Sequence, residues 1–155
     1  VYVATRTVQR PALVGMAHRN TGAKVKIELP LGDVVDRASI LEIKRSKVTD
    51  PVKLGQVIKE LSALIDAWEE KCSPMVSLPQ WDELCGVNRE LWEVEDALRA
   101  CETRQDFGES FVLLARSVYR LNDRRAALKR DINGALHSSL VEVKWYDNPT
   151  SSRER

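Results

Sequence analysis

The sequence predicts a mainly α-helical protein: a helical bundle of two antiparallel helical hairpins with coiled-coil-like seams, plus a small two-stranded antiparallel ribbon joining the termini. Three observations carry that expectation. Phe107, Phe111, Leu114, Val118, Leu121, Arg125, Leu128 and Ile132 step by alternating intervals of four and three, which is the heptad seam of a helix laid along another helix. The same stepping recurs in Leu54, Val57, Leu61, Leu64 and Trp68, and again in Leu84, Asn88, Leu91, Glu95 and Leu98. At the two ends the period changes to two, through Val25, Ile27 and Leu29 and through Val141, Val143 and Trp145, as in half-buried strands.

Taken in order, residues 1–23 carry Arg6, Arg10 and Arg19 and no acid, with Pro11, Gly15 and Gly22 interrupting any periodicity. They read as a disordered basic extension, with Met16 as a plausible start of the native chain. Residues 24–146 read as one helical domain. Strand one is expected at 24–29, turned by Pro30, Leu31 and Gly32, with Asp33 as the N-cap of helix one, which runs to about Val48. Asp50 caps helix two and Pro51 takes its first position, where a missing N–H costs nothing. A loop with two prolines, 73–79, leads to helix three, which ends by Arg104. Gln105 and Asp106 turn into helix four, running from Phe107 to about Gly134. Strand two is expected at 141–146, and 147–155 as a disordered polar tail. Short connections make sequential helices antiparallel neighbours.

Composition excludes several classes of function. The chain has 24 Lys and Arg against 23 Asp and Glu, a balance that gives no general attraction to nucleic acid or an anionic membrane. No apolar run is long enough to span a bilayer. Cys72, Cys85 and Cys101 form no C-x-x-C pair, and neither His18 nor His137 lies near a cysteine, so no metal site and no cofactor is expected. Three half-buried reduced thiols argue for a cytoplasmic protein. No catalytic residue is assigned: His137 stands at a helix end, no Ser or Cys has an evident base, and the E-x-x-H pairs of a carboxylate-bridged di-metal site are missing. Whether the protein is an enzyme is left open.

The functional lead is the set of polar residues on the helix three and helix four seams. If their turn lies near 103–108, facing positions sum to about 211, which sets Glu95 opposite Arg116, Asn88 opposite Asn122 or Asp123 with Arg125 close by, and Tyr119 near Trp92. Asn88, Trp92, Glu95, Arg116, Tyr119, Asn122 and Arg125 are thus the candidate ligand-binding set, suited to a small anion. The alternative is a device that fixes helix register. Arg116, Arg120 and Arg124, at i, i+4 and i+8, form a candidate basic ridge for phosphates, although nearby acids and the lack of interleaved aromatics weigh against nucleic acid. Asp36 and Glu42 on helix one would join the polar stripe if they bracket the bundle's end. The leading expectation is a non-enzymatic interaction or accessory module that binds a protein partner or self-associates.

Three segments carry a resemblance: Leu31-Gly-Asp-Val-Val-Asp-Arg-Ala-Ser-Ile-Leu-Glu-Ile-Lys44, Val87-Asn-Arg-Glu-Leu-Trp-Glu-Val-Glu-Asp96 and Ala115-Arg-Ser-Val-Tyr-Arg-Leu-Asn-Asp-Arg-Arg-Ala-Ala-Leu-Lys-Arg-Asp-Ile-Asn133. Together they resemble an uncharacterised bacterial family, domain of unknown function 6165, over roughly Lys24 to Tyr146. The resemblance implies a compact domain and no chemistry; members sometimes occur near sugar-transfer or cell-surface polysaccharide functions. A fainter similarity to all-helical chorismate mutases rests on Asp36-Arg-Ala-Ser-Ile-Leu41. The full set of cations and amides needed around a dicarboxylate is not found here.

Overall fold

The computed structural model describes residues 26–143. Four helices make up its regular structure: α1, Leu31–Lys47; α2, Pro51–Glu69; α3, Trp81–Arg104; and α4, Glu109–Ala135, with a single 3₁₀ turn at Met75–Ser77 between α2 and α3. α1 packs on α2, and α3 packs on α4 along its length. α1 also lies against both α3 and α4, so it is the element that joins the two pairs.

Local chemistry places the helix ends. Asp50 accepts from the backbone N–H groups of Val52 and Lys53, both at 2.9 Å, and Pro51 opens α2. Gln105 ends α3 in a left-handed conformation, φ 54°. α4 begins at Glu109, two residues later than its seam suggested, so Phe107 sits in the turn and stacks edge-on against Phe111 with centroids 5.3 Å apart.

The core lies where α1 meets the other helices. Val35, Ala38 and Leu41 of α1, Leu61 and Trp68 of α2, Leu84, Val87 and Leu91 of α3, and Leu128 and Ile132 of α4 are buried together with Met75. The Trp68 indole N–H donates to the Ser73 carbonyl at 2.7 Å, which satisfies the one polar atom of that buried ring and fixes the loop after α2.

Two expectations need correction. No strand occurs among the described residues, so the terminal ribbon is not supported. Ile27 is 71% exposed and Val143 is 81% exposed, so the alternating pattern at these ends marks no buried face. Lys24, Val25 and 144–146 lie outside the described residues, as do the whole of the expected extension, 1–23, and the whole of the expected tail, 147–155. The physical reason is that a lone two-stranded ribbon is marginal in water, and the start of α1 is held by other means.

Those means also displace the expected cap. α1 starts at Leu31, ahead of Asp33, and has no side-chain cap of its own. Its first amides are satisfied across the fold instead: Leu31 N donates to Ser138 Oγ at 3.1 Å and Gly32 N to Asn133 Oδ1 at 2.7 Å. Asp33, freed from capping, pairs with Lys129, which also reaches Glu142 Oε2 at 2.6 Å. Gly32 is needed for this approach. A Cβ there would collide with the Lys129 carbonyl oxygen, with the carbonyl carbon and Cα at 3.0 Å.

Candidate functional site

One buried polar network joins three helices. Gly32, Asp36, Ser39 and Ile43 step by four, three and four along α1, which puts small and polar groups on the stripe facing the α3/α4 hairpin. Asp36 is 5% exposed, Ser39 is 0% exposed and Asn88 is 4% exposed. Asp36 Oδ1 accepts from Arg125 Nε and from Asn88 Nδ2, both at 2.8 Å, and Asp36 Oδ2 accepts from Arg125 Nη2 at 2.6 Å. Asn88 Nδ2 also donates to Ser39 Oγ at 2.7 Å, and Ser39 Oγ donates to the Asp36 carbonyl at 2.8 Å. The fork from Asp36 raises the Arg125 pKa above its ordinary value, although burial works in the opposite direction. Both charges in the network are paired with each other, and the pair ties α1 to the α3/α4 hairpin.

The remaining candidate residues do not converge on that joint. Glu95 is exposed and bonds Arg99 Nη2 at 2.9 Å on its own helix. Trp92 receives the Lys47 ammonium 6.0 Å from its ring centroid. Asn122 donates to the Val118 carbonyl at 2.9 Å. Tyr119 is 52% exposed, and hydrogen bonds from Arg116 and then Arg120 lower the pKa of its phenol. Of the basic ridge, Arg124 Nη2 is bound across the hairpin to Glu83 Oε1 at 2.8 Å, while Arg116 and Arg120 flank Tyr119. Asn88 and Arg125 are therefore brought together through Asp36, while Trp92, Glu95, Arg116, Tyr119 and Asn122 are distributed along the hairpin. Sequence reasoning missed Ser39 altogether. The signal that marked it was the stepping Gly32, Asp36, Ser39, Ile43, a heptad stripe written in small and polar residues.

Beyond α1 the hairpin continues with no third helix against it among the described residues. The last residue of α1, Lys47, reaches Trp92, and α3 extends a further 12 residues, Glu93 to Arg104, about 18 Å at the helical rise. The stripes that meet α1 run on into this arm. On α3 the stripe of Asn88 continues seven and fourteen residues later as Glu95 and Glu102, beside half-buried Leu98. On α4 the stripe of Arg125 continues seven and fourteen residues earlier as Val118 and Phe111, beside Leu114, all three half-buried. In the covered part α1 presents an acid and a hydroxyl to an amide and a guanidinium. In the uncovered part the pattern is inverted, with two carboxylates on α3 and an apolar row on α4.

No cluster of His, Cys, Asp and Glu able to hold a metal occurs among the described residues, and none of their helices is long and apolar enough to cross a membrane. No curated protein and no solved structure matches the chain. A family model, described as a family of unknown function (DUF6165), matches residues 25–154. That span takes in the joint, the clamp at the start of α1 and the whole α3/α4 arm, and the chain accordingly belongs to the DUF6165 family.

Proposed function

We propose that the protein is a non-enzymatic interaction module whose α3/α4 arm takes up a basic amphipathic helix of another protein, in line with the end of α1. The observation that carries this reading is the continuity of the two heptad stripes past Lys47, where α1 stops and the stripes do not. A helix of about three turns would match the 18 Å of uncovered arm. Its apolar residues would cover Phe111, Leu114 and Val118, and its cations would face Glu95 and Glu102. This is the helix-in-groove mode of recognition, read at i, i+3, i+4 and i+7 spacing.

The charge of the face favours a basic occupant, and its area suits a small, transient contact rather than a permanent dimer. Two helices side by side over this length present a face of about 360 Å², well below the roughly 800 Å² per partner of a stable dimer. Among the described residues Glu95 is held by an exposed bond to Arg99, a class of contact worth little and easily exchanged. An incoming cation therefore has little to displace.

Photo-crosslinking from position 118 in the native cell, followed by mass spectrometry of the linked peptides, tests the reading. Support is a linked peptide from another protein with basic amphipathic helical periodicity, lost when Glu95→Lys and Glu102→Lys are combined. Crosslinks to a second copy of the chain, or none above those from exposed position 130, would overturn it.

A further inference from the structure

A second feature stands apart from the arm. Between α1 and α3 lies an open hollow of about 370 Å³, within the range of small-molecule sites. Its wall from α1 includes Ser39, Ile43, Arg45 and Lys47, and its wall from α3 consists of Cys85 and Arg89. Three cations line it against one carboxylate, Glu42, and that carboxylate is engaged with Arg45 at 2.7 Å. Arg89 and Lys47 have no carboxylate partner among the described residues, whereas Arg37, Arg99, Arg124, Arg125 and Lys129 each have one. Lys47 also lies over the Trp92 ring, 6.0 Å from its centroid, a contact that leaves its charge in place.

Two unneutralised cations facing one hollow match the charge of a phosphate group near neutral pH, about −1.5 to −2 for a monoester. An arginine fork and a lysine point charge are the usual pair for holding such a group. The last turn of α1 carries a negative partial charge of about half a unit, which opposes an anion; the two unneutralised charges exceed it. The floor is Ile43, 6% exposed, with the Cys85 thiol beside it, an apolar surface on which a small organic body can rest.

We propose that this hollow binds the phosphate group of a small anion, either free phosphate or a phosphate monoester, between Arg45 and Lys47 of α1 and Arg89 of α3. The site is independent of the arm, and no residue of the docking stripe lines it.

Calorimetric titration of the full chain with inorganic phosphate and, separately, with phenyl phosphate tests the proposal. The expected result is saturable binding of at least one probe, weakened about tenfold or more by Arg89→Ala and by Lys47→Ala, the loss expected for a charge-assisted hydrogen bond. Arg130→Ala, an exposed cation on α4, should leave it unchanged. Tighter binding of phenyl phosphate assigns the site to monoesters, and tighter binding of inorganic phosphate assigns it to the free ion. As a readout that does not depend on the variants, the bound probe should slow alkylation of Cys85 and leave Cys72 unaffected. Binding of neither probe overturns the proposal. So does binding that survives both Arg89→Ala and Lys47→Ala, or that falls equally with Arg130→Ala.

Discussion

Arg125 of α4 and Asp36 of α1 stand 89 positions apart in the chain and meet through a two-pronged fork, Nε on Oδ1 at 2.8 Å and Nη2 on Oδ2 at 2.6 Å. Asp36 is nearly inaccessible, while the Arg125 side chain keeps 28% of its surface. Removing the acid leaves the guanidinium without its acceptor and the Asn88 amide with Ser39 Oγ alone. Asp36→Ala should therefore destabilise the protein by about 3 kcal/mol, the low end for a broken buried pair because Arg125 can still reach water. Chemical denaturation checks this. Glu95→Ala, which removes an exposed bond of similar length, should change stability by less than about 0.5 kcal/mol.

The start of α1 gives a second prediction. Gly32→Ala would drive a methyl into the Lys129 backbone, and neither partner is the free end of a flexible chain. A cost of about 1–3 kcal/mol is expected for overpacking, seen as a lowered thermal midpoint with the helical spectrum retained.

Asn133 supplies the acceptor that α1 lacks locally, and its own Nδ2 is buried with no partner among the described residues. Asn133→Ala should cost about 1–2 kcal/mol, as for a lost N-cap. Asn133→Asp keeps the acceptor, places an anion at a helix N-terminus and removes the unpartnered donor, so it should be close to the original protein. Paired melting curves of the two variants check the ordering.

Much of the fold was legible in the sequence because the helices announce themselves locally. Pro51 and Asp50 mark the start of α2, and heptad stepping marks α3 and α4. The alternation around Ile27 and Val143 misled because a two-residue period identifies a strand only when one face is buried, and nothing among the described residues covers these two side chains. The site was legible by half. Asn88 and Arg125 stood out as polar residues on apolar seams, but their partner is on α1, and the offset between α1 and the hairpin is set by the approach of Gly32 to Lys129, which no single-helix pattern encodes. Glu95 was placed in the interior for the same reason. Its seam position is real, but α1 ends at Lys47, level with Trp92, and Glu95 is exposed.

Lys129 provides a pH prediction. Burial disfavours its charge, but the bonds to Asp33 and Glu142 outweigh that cost and raise its pKa. A cation whose folded pKa lies above the unfolded one contributes stability that is fully present below the unfolded value, about 10.4, and lost as the pH rises through the folded value. The protein should thus lose stability above about pH 10.4, and a Lys129→Met variant should show a smaller loss over the same range in denaturation curves taken from pH 8 to about 11.5.

The central claim is that the seam is divided at Trp92, structural where α1 covers it and a docking face beyond. The most direct measurement is the melting temperature of the Glu95→Lys, Glu102→Lys double variant, taken together with its crosslinking yield from position 118. A division at Trp92 predicts a melting temperature within about 2 °C of the original, as for surface substitutions, with crosslinking to the basic helical partner lost. A fall in melting temperature comparable with that of Asp36→Ala, or crosslinking that persists unchanged, would contradict it.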